Sequence, residues 1–107
     1  MDGSARVDEW RRLEDKLRAY VEGQGGPTIT YNALLMLCGA AEADEGMSYS
    51  EGMLARFGQH RAAGLRQFYD SRYGAPAPDA SGLRVYDTGN LIALAQELAV
   101  EAGRRAR

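Results

Sequence analysis

Apolar residues recur at helical spacing through the first twenty positions. Val7, Trp10, Leu13, Leu17, Tyr20 and Val21 fall at steps of three and four, with charged residues from Glu9 to Arg18 between them. This pattern predicts an amphipathic first helix. It ends at Gly23-Gln24-Gly25-Gly26-Pro27, because glycine weakens a helix and proline lacks the donor to continue one. Thr28–Tyr31 then leads into the apolar run Asn32–Gly39, where Thr30 or Asn32 can cap a short second helix. A buried strand fits a run of this length as well. Ala, Leu and Met outnumber β-branched residues in it, which favours the helix. Ala40–Gly46 reads as an acidic connector.

Ser48 and Glu51 form a capping box that opens a third helix carrying Met53, Leu54 and Phe57, with Gly58 as its stop. A fourth helix follows over His60–Tyr73, its apolar side made by Leu65, Phe68, Tyr69 and Tyr73. The stretch Gly74–Asp79, with two prolines, breaks the chain. Leu83–Tyr86 alternates apolar and polar, as a short strand or hairpin arm does. Asp87 or Thr88 caps a fifth helix whose stripe is Leu91, Ile92, Leu94, Ala95, Leu98 and Ala99. Gly103 closes it, and Arg104, Arg105 and Arg107 follow. The expected fold is mainly α: one compact domain of five helices with at most one small β-hairpin around residues 75–87. Its expected core is Trp10, Leu13, Leu17, Leu35, Leu54, Phe57, Leu65, Phe68, Leu91, Leu94 and Leu98.

Composition narrows the function classes. A chain of 107 residues, 45% hydrophobic, suits a single domain and not a multi-domain enzyme. One cysteine, Cys38, removes the disulfide-scaffold class, and its apolar neighbours mark it as a small core residue. With His60 the only histidine, neither a zinc site nor a Cys/His or Ser/His/Asp nucleophile assembles. The Gly23–Gly26 stretch lacks the lysine of a phosphate-binding loop. Glu14–Asp15 and Asp44–Glu45 are neighbours that point apart on regular structure. No enzymatic role, cofactor or metal is expected. The longest uncharged stretch, Gly23–Ala41, is interrupted by glycine and proline, and nothing resembles a signal segment. The expectation is a cytoplasmic location without a membrane.

Charge is uneven beneath a net −2. Residues 1–46 hold nine acids against five bases, whereas residues 47–86 hold three acids against five arginines: Arg56, Arg61, Arg66, Arg72 and Arg84. Arginine forks onto phosphate and reads guanine, although a solvated helix face has the same composition. The order of elements adds a mechanism. Two short helices about a turn at Gly58, then a loop, a strand and a helix, suit a helix-turn-helix with a wing. Its second helix would present Gln59, His60, Arg61 and Gln67 to bases, while Arg66 and Arg84 hold phosphates. Arg72 joins this set if the arginines share a face.

Three stretches carry a family likeness: Met47-Ser-Tyr-Ser-Glu-Gly-Met-Leu-Ala-Arg-Phe-Gly58, Ala63-Gly-Leu-Arg-Gln-Phe-Tyr-Asp70, and Asp79-Ala-Ser-Gly-Leu-Arg-Val-Tyr-Asp-Thr-Gly-Asn-Leu91. Together they resemble the DNA-binding domain of MerR-type transcription regulators. The resemblance implies a winged helix-turn-helix over 47–103, preceded by a helical extension over 1–46. It also implies phosphate contacts at Arg66 and Arg84 and a wing contact at Tyr86. The expected function is a small regulator or accessory factor on double-stranded DNA, acting as a homodimer. The alternative is an acidic helical module, an adaptor or inhibitor, that binds another protein without DNA.

Overall fold

The computed structural model describes residues 2–43 and 47–105, so the acidic pair Asp44–Glu45 and Arg107 lie outside the described residues. Helix α1 runs over Asp2–Tyr20 and continues as a π-helical stretch, Val21–Gly25, up to the positive-φ Gly26. Strand β1 (Thr28–Thr30) leads directly into α2 (Tyr31–Glu42). Helix α3 spans Glu51–Tyr73, and strand β2 (Val85–Asp87) leads into α4 (Thr88–Arg105). The helix predicted for the 32–38 run is present, and Thr30 caps it by accepting from the Ala33 amide at 3.2 Å. Asp87 likewise caps α4, accepting from the Asn90 amide at 2.9 Å.

The boundaries of α3 depart from expectation. Its cap is Ser50, which accepts from the Met53 amide at 3.2 Å, not Ser48. The predicted third and fourth helices are one 23-residue helix, giving four helices among the described residues, not five. Gly58 is helical, and the stop lies at Gly74, where φ is +86° and the amide donates to the Asp70 carbonyl. A glycine ends a helix where the chain needs positive φ, and Gly58 has none. Gly58 serves packing instead. A Cβ placed on it would sit 2.2 Å from the Leu35 carbonyl oxygen, and one on Gly39 only 1.7 Å from that of Leu54. The backbones of α2 and α3 cross where neither carries a side chain. The turn that a helix-turn-helix requires is therefore missing. In the same way, α4 passes through Gly103, the expected stop, to Arg105.

The expected local hairpin is replaced by a long-range pairing. Strands β1 and β2 form an antiparallel ribbon with Ile29 opposite Tyr86, while the 75–84 loop contributes only an isolated bridge between Pro78 and Arg84. The turn over 79–83 that precedes β2 is exposed and forms no strand of its own. Tyr86 turns inward, 3% exposed, with Tyr69 edge-on to it at 5.0 Å. The Tyr69 hydroxyl accepts from the Asp87 amide at 3.1 Å, which fastens α3 to the ribbon. The ribbon thus joins two helix–loop–helix units at one end. Across the units α1 packs along α4, and within the chain's middle α2 packs along α3. The first 43 residues consequently supply much of the core.

That core is built on Leu13, Leu17, Leu65, Leu91 and Leu94, as the periodicity predicts. It takes in Cys38, as its apolar neighbours predict, and also Ile29, Leu34, Ala62, Tyr69 and Tyr86, none of which the expected core included. Trp10, Leu35 and Leu98 are only partly buried against it, and Leu54 is half-buried. Phe57 and Phe68, assigned to the core from their spacing, are exposed. Among the described residues, no helix is long and apolar enough to cross a membrane.

Two pairs of substitutions check this arrangement. Gly64 has open space where a Cβ would go, so Gly64→Ala should stabilise by about 0.5–1 kcal/mol through helix propensity alone. Gly58→Ala has the same propensity gain yet should lower the melting temperature, because its Cβ meets the α2 backbone. A gain at both positions would place a break or a wider gap at Gly58. Leu65→Ala should cost about 2–5 kcal/mol, as deleting a buried leucine does. Phe68→Ala should cost much less, read from the same denaturation curves.

Candidate functional site

Helix α3 carries two apolar stripes, not one. Successive residues turn by about 100° on a helix. Gly58, Ala62, Leu65 and Tyr69 share the face buried against the core. Met53, Phe57, Gly64 and Phe68, at i, i+4, i+11 and i+15, fall on an adjacent flank about 22 Å long. Phe57 is 39% exposed and Phe68 51% exposed. The flank is open because α1 and α4 pack on each other and meet α3 over few residues.

A chain of cavities follows this flank. The largest, about 350 Å³, lies between Trp10 of α1, Glu42 of α2, and His60, Arg61, Gly64 and Phe68 of α3. Beyond Phe68 a cavity of about 200 Å³ continues along Trp10, Leu98 and Ala102. A further cavity of about 220 Å³ opens between Phe68, Leu94 and Leu98. Towards the start of α3, one of about 310 Å³ lies between Glu42, Tyr49 and Phe57. Together they make a groove with an apolar wall and a polar floor.

The floor is an ion triad. Arg61, its side chain 10% exposed, is hydrogen-bonded to Glu9 and lies 3.7 Å from a Glu42 oxygen. Its guanidinium also stacks on Trp10, 4.4 Å from the ring centroid. Two carboxylates thus face one cation. Glu42 Oε2 and Arg61 Nε, both buried, have no hydrogen-bond partner. Burial raises the Glu42 carboxyl above its ordinary value of 4.5; the attraction of Arg61 opposes this and the charge on Glu9 adds to it. A half-buried carboxylate whose partner is shared sits in an unfavourable place.

The residues predicted to touch DNA converge only in part. Arg61, expected at a base edge, is spent in the triad. Arg72 is bidentate to Glu97 of α4, at 2.7 and 2.9 Å. Tyr86, expected on a wing, is core. Arg84 donates to the Pro76 carbonyl at 3.1 Å and so braces its own loop. Arg66 lies over the Tyr31 ring at 4.7 Å with its side chain otherwise outward. Gln59, His60 and Gln67 are exposed, and with Arg56 and Arg66 they occupy the outer face of α3. The spacing of Met53, Phe57 and Phe68 was legible in the sequence, but cutting the helix at Gly58 hid that these residues share one flank.

The window from Asp79 to Asn90 has the length of a calcium loop between two helices, which needs oxygen ligands at positions 1, 3, 5, 9 and 12 and glycine at 6. Here position 5 is Leu83, position 6 is Arg84 and position 12 is Asn90. The Asp79 carboxylate already accepts from the amides of Ser81 and Leu83 and from the Ser81 hydroxyl. The window does not offer that ligand set. Among the described residues no three His, Cys, Asp or Glu side chains cluster as a metal site. Burial pushes the Cys38 thiol up to about 12, leaving it protonated and unreactive at neutral pH. No protein-family model, no curated protein and no solved structure matches the chain.

The triad gives a pH-dependent prediction. A carboxyl whose folded pKa is raised binds its proton more tightly in the folded chain, so it favours folding at low pH. That contribution is lost as pH rises from about 4.5 through the folded value. Glu42→Gln should therefore raise the melting temperature at pH 7, and the gain should vanish towards pH 4. Thermal melts across that range check it. A Glu42→Gln protein less stable than the parent at pH 7 would show that the Arg61 attraction outweighs burial.

Proposed function

We propose that this protein is a helical protein-interaction module whose docking site is the groove along α3. The observation that carries this reading is the exposure of Met53, Phe57 and Phe68 on the flank of α3 that α1 and α4 meet over few residues, with Tyr49 edge-on to Phe57. Contiguous apolar surface beside cavities marks interaction sites more often than isolated exposed side chains do. The dimensions suit an amphipathic helix laid into a groove, with anchors at successive turns. Aromatic residues such as Phe68 are the usual centres of such contacts.

A second reading, DNA binding by the outer face of α3, draws on Arg56, Gln59, His60, Arg66 and Gln67 lying together there. Its basis is narrower than the sequence suggests, since Arg61 and Arg72 are engaged with carboxylates. The two readings use different faces of one helix and are separable.

A displayed library of helical peptides, panned on the full chain and counter-panned on Phe68→Asp, tests the first. Retained peptides should lose about 2 kcal/mol of binding on Phe68→Asp, a factor of about 30 in Kd. They should bind Arg66→Ala unchanged. If the parent retains nothing beyond Phe68→Asp, the groove reading fails. If the chain instead binds mixed duplex DNA with a slope near −0.9 per phosphate contact in log salt, and Arg66→Ala reduces that slope, the second reading takes its place.

A further inference from the structure

Resting on the groove reading, we infer that the occupant of the groove is a second copy of this chain, its α3 laid antiparallel along the first about a two-fold axis. The sizes of the side chains on the flank are self-complementary in that arrangement. Met53, Phe57, Gly64 and Phe68 are spaced symmetrically about the midpoint between His60 and Arg61. Phe57 and Gly64 lie three and a half residues from it, Met53 and Phe68 seven and a half. An antiparallel two-fold at that point sets each residue level with its symmetric position on the facing helix. Phe57 then comes level with Gly64 of the second copy, and Met53 with Phe68.

Gly64 is the small residue that this pairing needs. A Cβ on it would meet nothing within 4 Å, so its side of α3 has room for an incoming ring. Large residues against small ones let facing helices interdigitate without voids. The other pair sets a thioether against an aromatic ring, which is a favourable contact. The stripe itself carries no charge. The two Arg61 guanidiniums near the axis each keep Glu9 and Glu42 of their own copy, so they do not oppose the contact.

Charge selects the same orientation. A two-fold axis in the contact plane keeps the groove side of one copy against the groove side of the other and reverses the ends. Arg105 lines the two cavities beyond Phe68, and Glu42 lines the one beside Phe57. The reversal therefore carries Arg104 and Arg105 of each copy to the end where the other begins α3. Those ends differ in sign. Arg104 and Arg105 are both largely exposed and share only Glu101, at 3.9 and 3.7 Å. From Glu42 to Glu51 the chain holds four acids and no base. Within its own copy Glu42 is met by Arg61, and Arg12 donates to the neighbouring Ala41 carbonyl, but Glu51 is exposed. One helix against its copy over about 22 Å, with the groove walls added, is at the low end of specific interfaces, so association is expected at micromolar concentrations.

Sedimentation of the full chain across concentrations reads the dimer directly. The parent should associate, and Phe68→Asp should weaken association by about 30-fold or more. Phe57→Ala and Gly64→Leu should each weaken it by about tenfold, and the two together should recover most of the loss, because large and small have exchanged places. Arg105→Glu should weaken it as well, less so at high salt. His60 lies beside the axis in both copies, so oxidation of His60→Cys should link two chains through residue 60. Arg66→Cys, on the far face of α3, should not link. The native Cys38 is buried and does not compete. A parent that stays monomeric at about 1 mM overturns the inference. Helical peptides that still distinguish it from Phe68→Asp then leave the groove reading standing, and their absence removes that reading too. A dimer that Phe68→Asp leaves intact, or that Arg66→Cys links and His60→Cys does not, overturns the inference, since the contact would lie on another face. A dimer in which the paired change at 57 and 64 recovers nothing overturns it through the register.

Discussion

The crossing of α2 and α3 at Gly39 and Gly58 is the constraint on which the other features depend. Two helix backbones approach this closely only where neither presents a Cβ, and here the space for both is already filled by carbonyl groups of the facing helix. The contact requires Gly58 to be helical, which makes α3 a single rod. A rod places Met53 and Phe57 in line with Gly64 and Phe68; a break at Gly58 would have scattered them. The same residue that holds the pair together thus creates the exposed stripe.

The ribbon sets the second condition. Ile29 and Tyr86 pair across it, Tyr69 fastens α3 to it, and both α2 and α4 start from its strands. The α1–α4 pair and the α2–α3 pair are therefore pinned together at one end, and beyond it α3 meets α4 over few residues. Side chains, more than backbone, bridge the remaining space. Arg61 reaches from α3 to Glu9, and Arg72 reaches from α3 to Glu97. The second of these pairs is exposed and worth little to stability. The first is more enclosed, where desolvation consumes much of the attraction between charges. Glu42 bears that cost most plainly, with one oxygen unpaired. Local rules of good packing are most often broken where a site has a use for the breach. Glu42 and the exposed Phe68 line the same cavity.

The sequence by itself determined which segments are helical and most of the leucines they bury. Leu13, Leu17, Leu65, Leu91 and Leu94 repeat at helical spacing, and the caps at Thr30 and Asp87 mark where α2 and α4 begin. These are local properties, set by neighbours within a turn or two. Tertiary structure decided what no local pattern encodes. Gly58 reads as a stop because glycine often ends helices, but its conformation follows from α2, which approaches from some twenty residues away. Leu83–Tyr86 reads as a short strand or an arm of a local hairpin, yet the strand that forms, Val85–Asp87, pairs with Thr28–Thr30, on the far side of two helices. Arg61 reads as a free cation for DNA, while its acceptors belong to α1 and α2. Phe68 reads as core because spacing records that a residue is apolar and on a stripe. Whether another element covers that stripe is a property of the assembled helices, and here Trp10, Leu94 and Leu98 cover Phe68 only in part.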